Sequence, residues 1–143
     1  MSDAQSPDTP DVVPPGWVLT PWREKFAGAA GPYYFREGEA SGVGIVVEER
    51  HLNLGGLAHG GCLATLADMS LWDICRRKVG PFRGVTVTMN TEFLGPGHPG
   101  EFIYAEGDAL KSTGSLMFAR GVVRAGERVI MNFSGTVKRL RAD

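Results

Sequence analysis

His59-Gly60-Gly61-Cys62-Leu63-Ala64-Thr65-Leu66-Ala67-Asp68-Met69-Ser70-Leu71-Trp72-Asp73-Ile74-Cys75-Arg76-Arg77-Lys78-Val79-Gly80 is the stretch whose reading decides the fold. Leu63, Leu66, Ala67, Leu71, Ile74 and Cys75 recur at spacings of three and four, the period of one helical face, and Met69 and Trp72 fill the remaining sides. A helix apolar nearly all round must be enclosed by other structure. Arg76, Arg77 and Lys78 suit a last turn, where cations meet the negative end of the helix dipole, and Gly80-Pro81 ends it. One acid, Asp68, interrupts the apolar run from Cys62 to Trp72. A carboxylate in such a place must be paired, hydrogen-bonded or useful, because burying it alone costs several kcal/mol.

Everything after the helix is strand-like. Val85, Val87, Met89, Thr91 and Phe93 share one face and Thr86, Thr88, Asn90 and Glu92 the other, and Gly95 to Gly100 is a turn. Phe102 to Leu110 and Leu116 to Arg124 flank a hairpin connection at Lys111-Ser112-Thr113-Gly114, and residues 129–137 supply a last strand after the turn at Arg124 to Glu127. Before the helix, Gly42 to Glu48 reads as a strand and Tyr33 to Arg36 as a shorter one. Thr20-Pro21 predicts the start of a short helix over residues 22–29, with threonine at the cap and proline at the first helical position. The sum is an α+β domain: an antiparallel sheet of five to six strands wrapped around one long central helix. Such a sheet covers one side of the helix only, which predicts at least a homodimer in which a second copy completes the burial.

The 143 residues form one domain, 17–143, behind a polar, proline-rich leader, 1–16, expected to be disordered. A formal charge of -1 offers no long-range attraction for nucleic acid or an acidic membrane, and no apolar run is long enough to span one. From Lys111 onward, however, seven cations face only Glu127 and Asp143; most of them read as the solvated ends of strands, with a local patch for a small polyanion as the alternative. Cys62 and Cys75 show neither CxxC nor metal-ligand spacing and read as small buried hydrophobes, so the expected address is the cytoplasm and no metal is expected.

If His59 to Gly61 form the first helical turn, the N-H groups of Gly60 and Gly61 lack intrahelical partners and can hold an anion or a developing oxyanion. Asp68 lies eight residues beyond Gly60, roughly 12 Å along the axis, so one substrate carbonyl cannot touch both. If the two groups cooperate, the carboxylate comes from a different chain and the dimer interface is the reaction site.

Asn53, His59-Gly60-Gly61, Leu66-Ala67-Asp68 and the strand Val85-Thr86-Val87-Thr88-Met89-Asn90 together resemble the hotdog-fold acyl-CoA thioesterases of the PaaI type, over about Pro32 to Leu140. The resemblance implies a homodimer or a dimer of dimers that hydrolyses acyl-CoA with no cofactor, coenzyme A being part of the substrate. It implies Asp68 as nucleophile or as the general base that activates water, and Gly60 N-H as the group that polarises the thioester carbonyl. His59 would position that carbonyl or cap the helix. Asn53 would hold the lytic water, orient the acyl group or simply brace its loop, and Thr86 would face the carboxylate. Trp72 and Asp73 depart from the small residues common in related helices. Trp72, one turn past Asp68, narrows the acyl pocket toward small or aromatic groups, and Asp73 reads as a partner for Arg76 or Arg77. Gly61 would line the substrate site, Arg83, Lys111 and Arg139 would meet the coenzyme A phosphates, and Ser112 and Thr113 the pantetheine. The competing reading is a non-catalytic acyl-CoA-binding or sensing module, which keeps the pocket and lacks turnover.

Overall fold

The computed structural model describes residues 9–141. Its sheet has seven strands, β1 (Trp17–Leu19), β2 (Tyr34–Arg36), β3 (Val43–Val46), β4 (Gly84–Phe93), β5 (Phe102–Ser112), β6 (Leu116–Ala125) and β7 (Arg128–Arg139). They lie in the order β1-β2-β3-β5-β6-β7-β4, with every neighbouring pair antiparallel. The count corrects the five to six expected. The added strand, β1, has only three residues and follows two prolines, so no alternation announces it; it exists because Trp17, Val18 and Leu19 pair with Arg36, Phe35 and Tyr34.

Two α-helices accompany the sheet among the described residues, α1 (Lys25–Ala30) and α2 (Gly60–Val79). The helix expected to start at Thr20-Pro21 begins instead at Lys25. Thr20 is drawn into the extended ladder, where its N-H donates to Tyr33 O at 2.9 Å, and its side chain is buried rather than free to cap. Lys25 turns the chain into α1 with φ 59°, a left-handed conformation uncommon outside glycine.

α2 crosses the concave face of the sheet. Leu66, Ala67, Leu71 and Cys75 are fully buried against Val43, Ile45, Ile103, Met131 and Phe133. Contact is closest at Gly135, where a Cβ would run into Leu71 Cδ1, so only glycine lets the helix approach β7 there. Gly80, at φ 84°, stops α2, and its N-H donates to Arg76 O at 2.8 Å. A long helix lying on an antiparallel sheet that curls about it is the expected hotdog fold.

A smaller cluster of Val13, Trp17, Tyr34 and Phe102 forms a second core beside β1 and β2. Of the leader expected over 1–16, residues 1–8 lie outside those described, while Val13, at 1% exposure, is part of this cluster. Asp73 is wholly buried and fulfils its expected pairing: Oδ1 accepts from Arg76 Nη2 at 2.8 Å and from Arg77 Nε at 3.0 Å. Its Oδ2 also accepts Gly42 N-H at 3.0 Å, so the carboxylate ties α2 to the start of β3.

β4 sits at the sheet's far edge, paired with β7 on one side and with nothing among the described residues on the other. Val85 (48%), Val87 (53%), Phe93 (54%) and Leu94 (60%) are exposed along and just beyond it, an apolar edge of the kind natural sheets do not leave open.

Candidate active site

Gly61, Thr65, Asp68, Trp72 and Arg76 follow one another at spacings of three and four along the flank of α2 that the sheet leaves uncovered. Asp68 is half-buried there, and its Oδ1 accepts a 2.6 Å hydrogen bond from Thr86 Oγ1, while Oδ2 has no partner among the described residues. Sequence alternation had placed Thr86 opposite Met89, Thr91 and Phe93. A β-bulge between Thr86 and Thr88 reverses this, because Thr86 pairs with Val137 and Met89 with Gly135, both on the helix-facing side of β7. The extra residue, Val87, is what turns the Thr86 hydroxyl toward Asp68.

The carboxylate lines a cavity of about 740 Å³ whose floor is Asp68, Met69 and Trp72, with Gly84 and Thr86 on one side and the segment from Pro21 to Ala27 on the other. The α1 wall was not anticipated from the sequence. Part of what holds it is His51, buried to 3%, whose Nδ1 accepts Glu48 N-H at 2.9 Å, so that Nε2 carries the proton and donates to Ala30 O at 2.7 Å. The backbone carbonyl of the same residue accepts His59 N-H at 2.7 Å, linking the end of α1 to the start of α2. A lone histidine in a loop carries no sequence signal for such a role.

At the start of α2, His59 is the N-cap, with Nδ1 accepting Gly61 N-H at 2.8 Å. The N-H groups of Cys62 and Leu63 both donate to His59 O. Gly60 N-H is therefore the one first-turn donor without a partner among the described residues, and Gly61, expected to offer a second, spends its own on the cap. Asn53 lies beside this terminus through the Leu52–Ala58 bridge, and its Oδ1 accepts Leu57 N-H at 3.1 Å, leaving the Nδ2 donors open. Asp68 with Thr86 forms one group and Gly60 with His59 and Asn53 another. Within one chain the two groups are separated by the two helical turns between Gly60 and Asp68, as the spacing required.

Arg83 and Arg139 adjoin Gly84 of the cavity wall through the backbone, since Gly84 pairs with Arg139 and Arg83 O accepts Leu140 N-H. Ser112, Met117, Val137 and Thr86 form one row across β5, β6, β7 and β4, which puts Ser112 about 14 Å from Thr86, with Lys111 in the next row. The Thr113 hydroxyl is engaged with Leu116 O and N-H, both at 3.0 Å, in the hairpin turn. Arg83, Lys111 and Arg139 make no ion pair among the described residues. In a second groove, of about 490 Å³, Glu106 bridges Arg36 and Arg124 at 3.0 Å each. In the Asp68 cavity a carboxylate oxygen without a partner among the described residues lies beside one that Thr86 holds.

The chain belongs to the thioesterase superfamily, whose family profile matches residues 55–131. It is similar to a Pseudomonas aeruginosa protein described as a candidate esterase, 32% identical over 73% of this chain and 81% of that one. It is 40% identical to mouse acyl-coenzyme A thioesterase 13 over 51% of this chain and 52% of the relative, about half the length of each. Its fold matches that of a variant of the phenylacetic acid degradation protein PaaI from Thermus thermophilus, with a TM-score of 0.70 and 24% identity over 82% of this chain and all of that one.

Proposed function

We propose that the protein is an acyl-CoA thioesterase whose active site forms between two copies of the chain. The observation that carries this reading is the Asp68 carboxylate, held by Thr86 at 2.6 Å on the cavity floor and presented at the unpaired edge strand β4. β4 runs antiparallel to α2, so Thr86 lies near Asp68 while the Phe93 ring lies against Gly60, 3.5 Å from where a Cβ would stand. If the free edge of β4 pairs antiparallel with its copy across a two-fold axis near Met89 and Asn90, Thr86 of one chain comes opposite Phe93 of the other. That pairing brings Asp68 toward the partner's Gly60 and buries the exposed apolar edge. It leaves room for a further association into a dimer of dimers.

In the reaction proposed, Gly60 N-H donates to the thioester oxygen and stabilises the oxyanion that forms. Asp68 either takes a proton from the water that attacks the carbonyl carbon, or attacks that carbon itself to give a mixed anhydride that water then cleaves. In both cases the C–S bond breaks, coenzyme A leaves as its thiol, and water supplies the hydroxyl of the free acid. No cofactor takes part. Asn53 Nδ2 is placed to hold the water or the acyl oxygen. Arg83, Arg139 and Lys111 offer charge to the coenzyme A phosphates, with Ser112 beside the pantetheine. The acyl group enters over Asp68 toward Met69 and Trp72, which suits small or aromatic acids.

A panel of acyl-CoAs assayed with a thiol-detecting reagent tests this reading. Burial raises the Cys62 and Cys75 pKa values, which keeps both as thiols at neutral pH and favours the signal from released coenzyme A. Turnover of at least one acyl-CoA, falling about 100-fold or more in Asp68→Asn, is the expected result. Full activity in a folded Asp68→Asn dimer would defeat the reading, and saturable binding without turnover across the panel would replace it with a binding module.

A further inference from the structure

The Asp68 cavity ends in rings. Trp22 and Trp72 line it and meet edge to face, with centroids 5.9 Å apart, and behind them Phe35 touches both, at 5.1 Å from Trp22 and 6.0 Å from Trp72. The Arg76 guanidinium lies 5.2 Å from the Trp72 centroid and 5.5 Å from that of Phe35. It is also tethered, because its Nη2 donates at 2.8 Å to Asp73 Oδ1, a carboxylate with no exposure at all. Asp73 is in turn fixed by Arg77 and by Gly42 N-H, so the anchor does not move with Arg76. Arg76 Nε is buried without a hydrogen-bond partner, so the side chain is held by the rings and by this one ion pair.

We infer that Arg76 is a positioning residue that sets the length limit of the acyl pocket, an inference that rests on the acyl-CoA reading of the cavity. The physical reason is that Trp72 forms the far end of the cavity floor, one helical turn beyond Asp68, and a long acyl chain can pass only if its indole swings aside. That swing breaks the cation–π contact with Arg76 together with the ring contacts to Phe35 and Trp22. A short chain or a single flat ring stops against the Trp22–Trp72 pair and leaves the cluster intact. Asp73, which never touches substrate, thereby acts on specificity through Arg76 and Trp72.

Calorimetric titration with non-hydrolysable coenzyme A thioethers carrying butyl, phenylethyl and decyl groups tests the inference without requiring turnover. The wild type should bind the butyl and phenylethyl compounds and take the decyl compound about tenfold more weakly or worse. Arg76→Met should remove most of that discrimination by improving decyl binding about tenfold, with butyl affinity unchanged. Arg76→Lys, which retains a cation between the rings and the carboxylate, should restore it. Phe35→Leu leaves the ion pair intact and should relax the limit in the same direction, so the test survives if Arg76→Met fails to fold. A wild type that binds the decyl compound as well as the butyl one, or variants in which all three affinities fall together, would overturn the inference. Hydrolysis of the matching thioesters is followed in parallel. Discrimination without turnover defeats the thioesterase reading alone, and turnover without discrimination defeats the length limit alone.

Discussion

Replacing Gly60 by proline removes a single hydrogen atom of interest and little else. Gly60 is the first residue of α2 and follows His59 at φ -64° and ψ 137°, the extended conformation that a residue before proline prefers. Proline is favoured at this first helical position because the N-H it lacks has no intrahelical use. The added Cβ would stand 3.5 Å from Phe93 Cε1 and 3.6 Å from Cζ, ordinary contact distances. Stability should therefore hold within about 1 kcal/mol, whereas the one first-turn donor that has no partner among the described residues disappears. Loss of one oxyanion donor costs about 100- to 1000-fold in kcat, or about 2.7–4 kcal/mol. Gly60→Ala is the control, since it adds the same Cβ and keeps the N-H. Steady-state hydrolysis of the best acyl-CoA, with melting curves on the same samples, provides the assay. Equal kcat in the proline and alanine variants, both folded, would refute the assignment of the oxyanion to Gly60.

Three further outcomes follow from the structure. Thr86→Val deletes a 2.6 Å hydrogen bond to a carboxylate, a contribution of about 1.5–3 kcal/mol, and should lower kcat by about 10- to 100-fold while Thr86→Ser keeps it, as stopped-flow or steady-state rates would read. Asp73→Asn strips the charge from a wholly buried carboxylate that two arginines face, and should cost about 3 kcal/mol, seen as a Tm about 6–12 °C lower. The third outcome concerns Tyr33, whose phenol burial pushes up to about 12 from the ordinary 10.0, with the Cys62 thiolate adding to the shift. Its neutral form stabilises the fold in full below pH 10; above that the unfolded chain ionises and the native one does not. About 2–3 kcal/mol is then lost as the pH climbs to about 12, and Tyr33→Phe should flatten that alkaline decline in chemical denaturation curves.

The parts of the fold that were legible in the sequence are those whose hydrophobic period runs long enough to average out exceptions. α2 spans 20 residues with a cap, cations in its last turn and a terminal glycine, and each of these signals agrees with the others. Strands β4 to β7 are ten or more residues long apiece, bounded by clear turns, and β4 and β7 carry a period of two over much of their length. β1 was missed because three residues carry no period, and α1 was placed early because Thr20-Pro21 has cap chemistry that pairing with Tyr33 overrides. Asp68 stood out as the one acid in the apolar stretch that has no arginine three or four residues away, which is what separates it from Asp73. Thr86 meets the carboxylate as the resemblance implied, but the bulge that turns it there was not legible, since it adds one residue without disturbing the pattern of residue types. The α1 wall, His51 and the ring cluster behind Trp72 depend on contacts between segments distant in sequence, and no local pattern encodes them.

A site assembled from Asp68 of one chain and Gly60 of the other makes a prediction that a site within one chain cannot share. Asp68→Asn and Gly60→Pro proteins, each nearly inactive alone, are unfolded together and refolded as a mixture. In every mixed dimer one interface site then carries both lesions and the other carries neither. Random pairing should return about one quarter of the wild-type rate. A mixture no more active than its two components, with heterodimers demonstrated by mass spectrometry, would contradict the shared site.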